Sequence, residues 1–295
     1  MSLIMTLLVR DEADIVRENI HYHLARGVDH IIATDNASVD GTSEILEEFE
    51  RAGCLSLLRE PSDDYLQEEW VNRMIEIVRD RYPDAWIINN DADEFWRPPD
   101  REDGGPGDLK VELKNVNAPS ALCRRHNMIT SVENLGKGHW CETLVWRARE
   151  PVNWPKNVNI KEHALDHPYF LYNLPNKVAV NTKGLIRVHK GSHTVSHHQG
   201  GPPHPSAIQI FHYPIRSRIE FEKSVGRIAD ALRRNPPPGN TSAKYIRWGS
   251  MLVRHGTIEP VLRDALPTRG QILKMRLKGM VQRDTKLRMD FLRKS

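Results

Sequence analysis

Apolar positions in the first hundred residues switch regularly between two periods. Leu3–Val9 is a short apolar run, the mark of a strand covered on both faces. From Glu12 to Arg26, Val16, Ile20 and Leu24 recur four apart, with acids in the first turn and Gly27 after the last. That predicts a helix with both ends marked. His30–Thr34 reads as a second strand and Leu55–Leu58 as a weak third. Between them Thr42 to Ala52 predicts a helix on Ile45, Leu46 and Phe49, stopped by Gly53. Tyr65 to Arg81 repeats Leu66, Trp70, Met74, Ile77 and Val78 at helical spacing, with Asp64 placed to cap it. Trp86–Asn90 is the fourth strand and runs into Asp91-Ala92-Asp93-Glu94. Strands alternating with helices of this length predict a parallel, doubly wound α/β sheet.

Past Arg97 the periodicity fades. Pro98 to Gly107 reads as a loop, and Ala121–Cys123, Thr143–Arg147, Val178–Val180 and Ile208–Phe211 as short β-like pieces. Ser217 to Arg233 predicts a helix on Ile219, Phe221, Val225, Ile228 and Leu232. Pro236-Pro237-Pro238-Gly239 marks a boundary, and the tail from Lys244 reads as helical.

Composition narrows the class. At 39% hydrophobic and 27% charged, the 295 residues exclude fibrous and disordered chains and leave one large or two small domains. Lys and Arg exceed Asp and Glu by only three charges, so net charge gives no argument for a nucleic-acid partner. The apolar start at Ser2 is broken at Arg10-Asp11-Glu12 without a basic leader, so it reads as a strand rather than a signal peptide. Cys54, Cys123 and Cys141 form no CxxC pair, which argues against a disulfide framework and for a cytoplasmic setting.

In a parallel sheet, ligands bind beyond the carboxyl ends of the strands. Arg10-Asp11-Glu12, Asp35-Asn36 and Asp91/Asp93 all fall there. Residues two apart in extended chain point the same way, so Asp91 and Asp93 present two carboxylates to one side. Such oxygens suit Mg²⁺ or Mn²⁺, ions that complete their shell with phosphate oxygens and water. The bland alternative is an acid pair that caps a helix or sits in a solvated loop.

The stretch VRDEADIVRENIHYHLARGVDHIIATDNASVDGT, followed by INNDADEFW, resembles the family 2-type glycosyltransferases, in the bacterial branch with RNE, DNxSxDGT and DxDEF signatures. The likeness covers residues 3–97 and continues more thinly through 176–195 and 210–223. It implies a GT-A-like α/β fold: a doubly wound, mostly parallel sheet with a helical C-terminal extension. On that reading residues 1–235 are the catalytic domain, with a nucleotide-binding half at 1–97 and an acceptor-side half at 98–235, and 240–295 is the basic extension. The resemblance further implies a nucleotide-sugar donor (UDP-, GDP- or dTDP-linked), a divalent ion between Asp91/Asp93 and the diphosphate, and Arg10, Glu12, Asp35 and Asn36 around base and ribose. Lys177 is a candidate for neutralising diphosphate. Asp11 and Asn36 depart from the family's usual Asn and Asp. No acid occurs between Asp166 and Glu220, where inverting members usually carry a catalytic carboxylate. Asp166, then Glu162 and Glu142, are the candidates for the general base of an inverting transfer; the alternatives are a histidine base or a retaining mechanism.

His189, His193, His197, His198, His204 and His212 crowd one stretch without matching any metal-site spacing. His212, then His193, is expected to complete the shell of the same ion. Residues 269–295 interleave Lys and Arg with Leu, Ile and Met, which suits either a helix packed on the catalytic domain or a peripheral membrane contact. The expected function is metal-dependent transfer of a sugar from a nucleotide donor to a glycan, lipid-linked or other hydroxyl acceptor. Two further classes stay open: a sugar-phosphate nucleotidyltransferase, which would want a Gly-rich loop where Arg-Asp-Glu stands, and a non-catalytic glycan- or nucleotide-binding relative.

Overall fold

Both faces of the first strand are covered, since Ile4 and Thr6 on one side and Leu3, Met5 and Leu7 on the other are all buried. That is the situation of a strand inside a parallel sheet flanked by helices. The computed structural model describes residues 1–61, 66–105, 107–155, 165–234 and 243–292. The expected cap Asp64, the candidate Glu162, the boundary at 236–239 and the tail residues Arg293 and Lys294 lie outside the described residues.

The chain runs β1 (Ser2–Val9), α1 (Val16–Leu24), β2 (His30–Asp35), α2 (Thr42–Arg51), β3 (Leu55–Arg59), α3 (Gln67–Arg81), β4 (Ala85–Asp91) and β5 (Glu94–Arg97). α4 (Leu109–Lys114), β6 (Ser120–Asn127), α5 (Trp140–Thr143) and β7 (Trp146–Ala148) follow, then β8 (Lys177–Asn181), β9 (Leu185–Val188), β10 (Val195–His197) and β11 (His204–His212). Last come α6 (Arg218–Arg234), α7 (Ala243–His255), α8 (Glu259–Ala265), α9 (Arg269–Leu277), β12 (Val281–Arg283) and α10 (Lys286–Leu292). Two compact units result: Met1–Arg125 with Pro175–His212, and His126–Leu174 with Tyr213–Ser295.

The first unit carries a mixed sheet of order β3-β2-β1-β4-β8-β6-β11-β5. It is parallel from β3 to β4, as the alternation of strands and helices predicts. Beyond β4 the sheet continues with antiparallel neighbours: β4–β8, β8–β6 and β11–β5. A parallel neighbour needs a crossover, usually a helix, and no helical period is read between β4 and β8 in the sequence. Met74, Ile75 and Val78 of α3 pack on Ile4, Ile32 and Ile87; Met74 and Val78 belong to the stripe read from the sequence, whereas Ile75 does not and Leu66 is 40% exposed.

The first helix starts later than its apolar period suggests, at Val16. Asp11 adopts a left-handed φ of 56°, and Glu12 to Ile15 form a turn. Their amides are held from the β2–α2 loop: Glu12 N–H donates to Thr42 Oγ1 at 2.8 Å and Ala13 N–H to Asp40 Oδ2 at 3.0 Å. The loops that follow β1 and β2 therefore fold as one piece.

The second unit buries Phe170, Phe221, Trp248, Val261, Leu262 and Ile272 together. Here the β-like reading of Thr143–Arg147 is half right. Trp140–Thr143 is a helical turn, and only Trp146–Ala148 is a strand, paired antiparallel with β12. That strand also interrupts the tail read as helical, because Gly279 at φ +70° ends α9. Next to the ladder Arg147 Nε donates to Asp284 Oδ2 at 2.8 Å, with both side chains buried.

Candidate active site

Register brings the carboxyl ends of the parallel strands level. Val9 pairs with Asp35, and Leu8 with Asp91, so the polar groups after β1, β2 and β4 lie along one edge of the sheet. Asp35 is 4% exposed, and its carboxylate accepts from Ser38 N–H at 3.1 Å and from the Ser43 hydroxyl. Asn36, also buried, donates to the Glu60 carbonyl at 3.2 Å and accepts from Arg10 Nη1 at 3.4 Å. Arg10 and Glu12 are half-buried beside them. These hydrogen bonds tie the loops after β1 and β2 to the carboxyl edge of the sheet.

The centre of the edge is the tight turn from β4 into β5, an element the sequence does not announce. Glu94 is fully buried, and Arg125 Nη1 donates to its Oε1 at 2.7 Å. Lys177, on β8, reaches Glu94 Oε2 at 2.5 Å and Asp91 Oδ2 at 2.8 Å. The expected diphosphate cation is thus a buried one, only 2% exposed, and it faces carboxylates. Asp93 lies 3.2 Å from His212 Nε2, a contact fixed by the pairing of His212 with Glu94 across β11 and β5.

Electrostatics follows from this geometry. Burial works against the ionised form of Glu94, but Lys177, Arg125 and His212 together overcome it and hold the carboxyl below the usual range. Burial dominates at Asp91 and pushes it up, with Lys177 opposing and Glu94 and Asp93 adding repulsion. Burial likewise works against the Lys177 ammonium, yet Asp91 and Glu94 outweigh it and raise its pKa. Three carboxylates, on Asp91, Asp93 and Glu94, thus meet Lys177, Arg125 and His212 in one cluster at the β4–β5 turn.

His193 is positioned separately. Its Nδ1 lies 2.8 Å from the Asn176 carbonyl, an atom that only accepts, so the proton sits on Nδ1 and Nε2 is the basic nitrogen. Burial, with Arg125 and Lys177 nearby, lowers its pKa despite that hydrogen bond. Glu142 and Asp166 are exposed residues of the second unit.

Among the described residues no three His, Cys, Asp or Glu side chains form a ready-made metal cage. The donor set nevertheless has the right chemistry for one kind of ion. Mg²⁺ and Mn²⁺ are commonly held by one or two carboxylates plus substrate phosphates and water. Asp93, with His212 against it and Asp91 in the same turn, supplies oxygen and nitrogen donors of the kind such ions accept.

What fixes the turn is a pair of α1 residues that sequence reasoning passed over. Asn19, fully buried, donates from Nδ2 to the Ala92 carbonyl at 2.8 Å and the Glu94 carbonyl at 2.7 Å, one on each side of Asp93. Its Oδ1 accepts from Asn90 Nδ2 at 2.9 Å, and Asn90 Oδ1 accepts from Trp96 Nε1 at 3.0 Å. One turn on, His23 Nδ1 donates to the Asn19 carbonyl and Nε2 accepts from Trp96 N–H at 3.1 Å. The only sequence signal is the polar pair at i and i+4 on the apolar face of α1. Asn19→Leu is expected to strand two buried carbonyls and the Asn90 amide, lowering stability by about 3 kcal/mol, read as the shift in urea midpoint.

Residues 5–198 match glycosyltransferase family 92. The class is therefore that of the sugar transferases, as the sequence resemblance implied. The chain belongs to glycosyltransferase family 92, where its motifs had been likened to family 2. No curated protein matches the chain. Among solved structures, S. aureus TarS is similar at 12% identity and a TM-score of 0.39, over 88% of this chain and 45% of TarS, so this chain spans less than half the length of that protein. A crystal structure of S. aureus TarS 1–349 in complex with UDP is similar at 11% identity and a TM-score of 0.40, over 88% of this chain and 73% of that one. Among the described residues no helix is long and apolar enough to cross a membrane.

Proposed function

We propose that this glycosyltransferase takes its sugar from a nucleotide-sugar donor, with the donor diphosphate seated over the carboxyl edge of β1, β2 and β4 in a GT-A-like arrangement. The observation that supports the reading is the β4–β5 turn, where Asp91, Asp93 and His212 come together at the carboxyl edge of the parallel strands. Asp93, Asp91 and His212 would hold Mg²⁺ or Mn²⁺, and the ion would stabilise charge on the departing nucleoside diphosphate. This chain's own part is to set the carboxylates. Lys177 and Arg125 neutralise Glu94 from inside, Asn19 fixes the turn, and Asp35, Asn36 and Arg10 shape the neighbouring loop for the nucleoside. A glycan, lipid-linked or other hydroxyl compound is the acceptor.

The test is release of nucleoside diphosphate from a panel of UDP-, GDP- and dTDP-sugars with Mn²⁺ or Mg²⁺. One donor is expected to be turned over, with activity lost on adding EDTA and restored by the metal. Calorimetry is expected to show Mn²⁺ binding tightly only when the matching nucleotide is present, because the protein alone supplies too few ligands. Pyrophosphate release would instead favour nucleotidyl transfer. Silence across the panel without nucleotide binding would favour a non-catalytic relative.

A further inference from the structure

The second unit presents a helix whose outward side combines large aliphatic groups with cations. α9 is anchored by Ile272 and Met275, both buried, and starts at a capping box between Thr268 and Gln271. Leu273 and Leu277 are nevertheless 57% and 82% exposed. At 100° per residue these two leucines lie ~40° apart and roughly opposite the buried pair. Arg269 and Arg276 flank them on one side, Lys274 and Lys278 on the other, and all four are exposed. The two acids of the described tail are withdrawn from this surface: Asp284 is 7% exposed and bound to Arg147, and Asp290 is 1% exposed.

An exposed leucine pair framed by cations on a helix with no exposed carboxylate is complementary to one kind of surface, apolar beneath and anionic on top. The helix is fixed in place before any such contact. Arg269 N–H donates to Glu133 Oε2 at 3.0 Å, the Arg269 guanidinium binds Asn134, and the Arg276 guanidinium sits 5.8 Å from the Trp146 ring centre. Ordering therefore costs little on docking, and only the side chains of Leu273, Leu277, Lys274 and Lys278 need reorient.

We infer that α9 docks this protein peripherally on an anionic lipid bilayer, with Leu273 and Leu277 entering the headgroup boundary and Lys274 and Lys278 meeting acidic headgroups. The inference stands apart from the donor chemistry of the first unit.

The test is cosedimentation of the full chain with vesicles of phosphatidylcholine alone or mixed with phosphatidylglycerol. Binding is expected only to the anionic vesicles and is expected to weaken as salt rises, since surface charge is screened within about 10 Å at 0.1 M. With each surface cation worth about a fivefold change in binding, Lys274→Glu/Lys278→Glu is expected to weaken it at least tenfold. Leu273→Ser/Leu277→Ser should do likewise while leaving thermal melts and nucleotide release from the donor unchanged. Equal binding to both vesicle types, no binding to either, or variants that bind like the parent would overturn the inference. So would sedimentation equilibrium showing a dimer that the leucine variant dissolves, because the face would then belong to a second copy.

Discussion

Lys177→Met is expected to lower stability by about 3–5 kcal/mol, the cost of removing one partner from a buried charge cluster. Lys177 is 2% exposed, and its ammonium is the cation placed between Glu94 and Asp91. Without it Glu94, fully buried, keeps Arg125 as its remaining ion-pair partner, and Asp91 loses the charge that opposes its burial. Urea unfolding reads the loss directly, and Lys177→Met with Glu94→Gln is expected to recover a large part of it. A single variant with an unchanged midpoint would show that the cluster contributes nothing net. Removal of Lys177 should also abolish donor turnover, because Asp91 is then free to swing away or take up a proton.

The second large effect is on chemistry alone. Asp93→Asn is expected to reduce donor turnover by at least about 100-fold, the usual loss when one preorganised charge is removed from a transferase or hydrolase site. The substitution keeps the shape of the turn, since Asn19 holds the flanking carbonyls and not the Asp93 side chain. The urea midpoint should therefore shift by less than about 1 kcal/mol, as for a partly exposed pair. Turnover of Asp93→Asn at the parent's rate would count directly against the β4–β5 turn as the donor site.

How far the sequence reveals this arrangement depends on how local each signal is. β1, β2 and β4 are legible because strands covered on both faces carry mostly apolar runs, and α3 because its stripe repeats over four turns. Asp91 and Asp93 are legible for the same reason, as polar residues placed where such a run stops. β5 is not, since four residues carry too little period to separate a strand from a loop. The antiparallel half hides for another reason. β8 reaches β4 through a register of Ile87 with Val180, and nothing near either residue announces the other. Lys177 shows the consequence most sharply. As a sequence it is a lysine at a strand end, free to meet a phosphate; its burial depends on an aspartate 86 residues earlier. The late start of α1 has the same origin, in amides claimed by Asp40 and Thr42 from the next loop.

The position of β8 between β4 and β6 also governs the order in which the molecule can be made. As the chain leaves the ribosome, β4 emerges with β1 on one flank and an apolar, hydrogen-bond-hungry rim on the other. That rim stays bare until Lys177–Asn181 have been translated. The first half alone is therefore expected to expose an unpaired edge open to other chains. A version ending before residue 181 is expected to keep that rim bare, so β1–β4 are not expected to fold as a separate module.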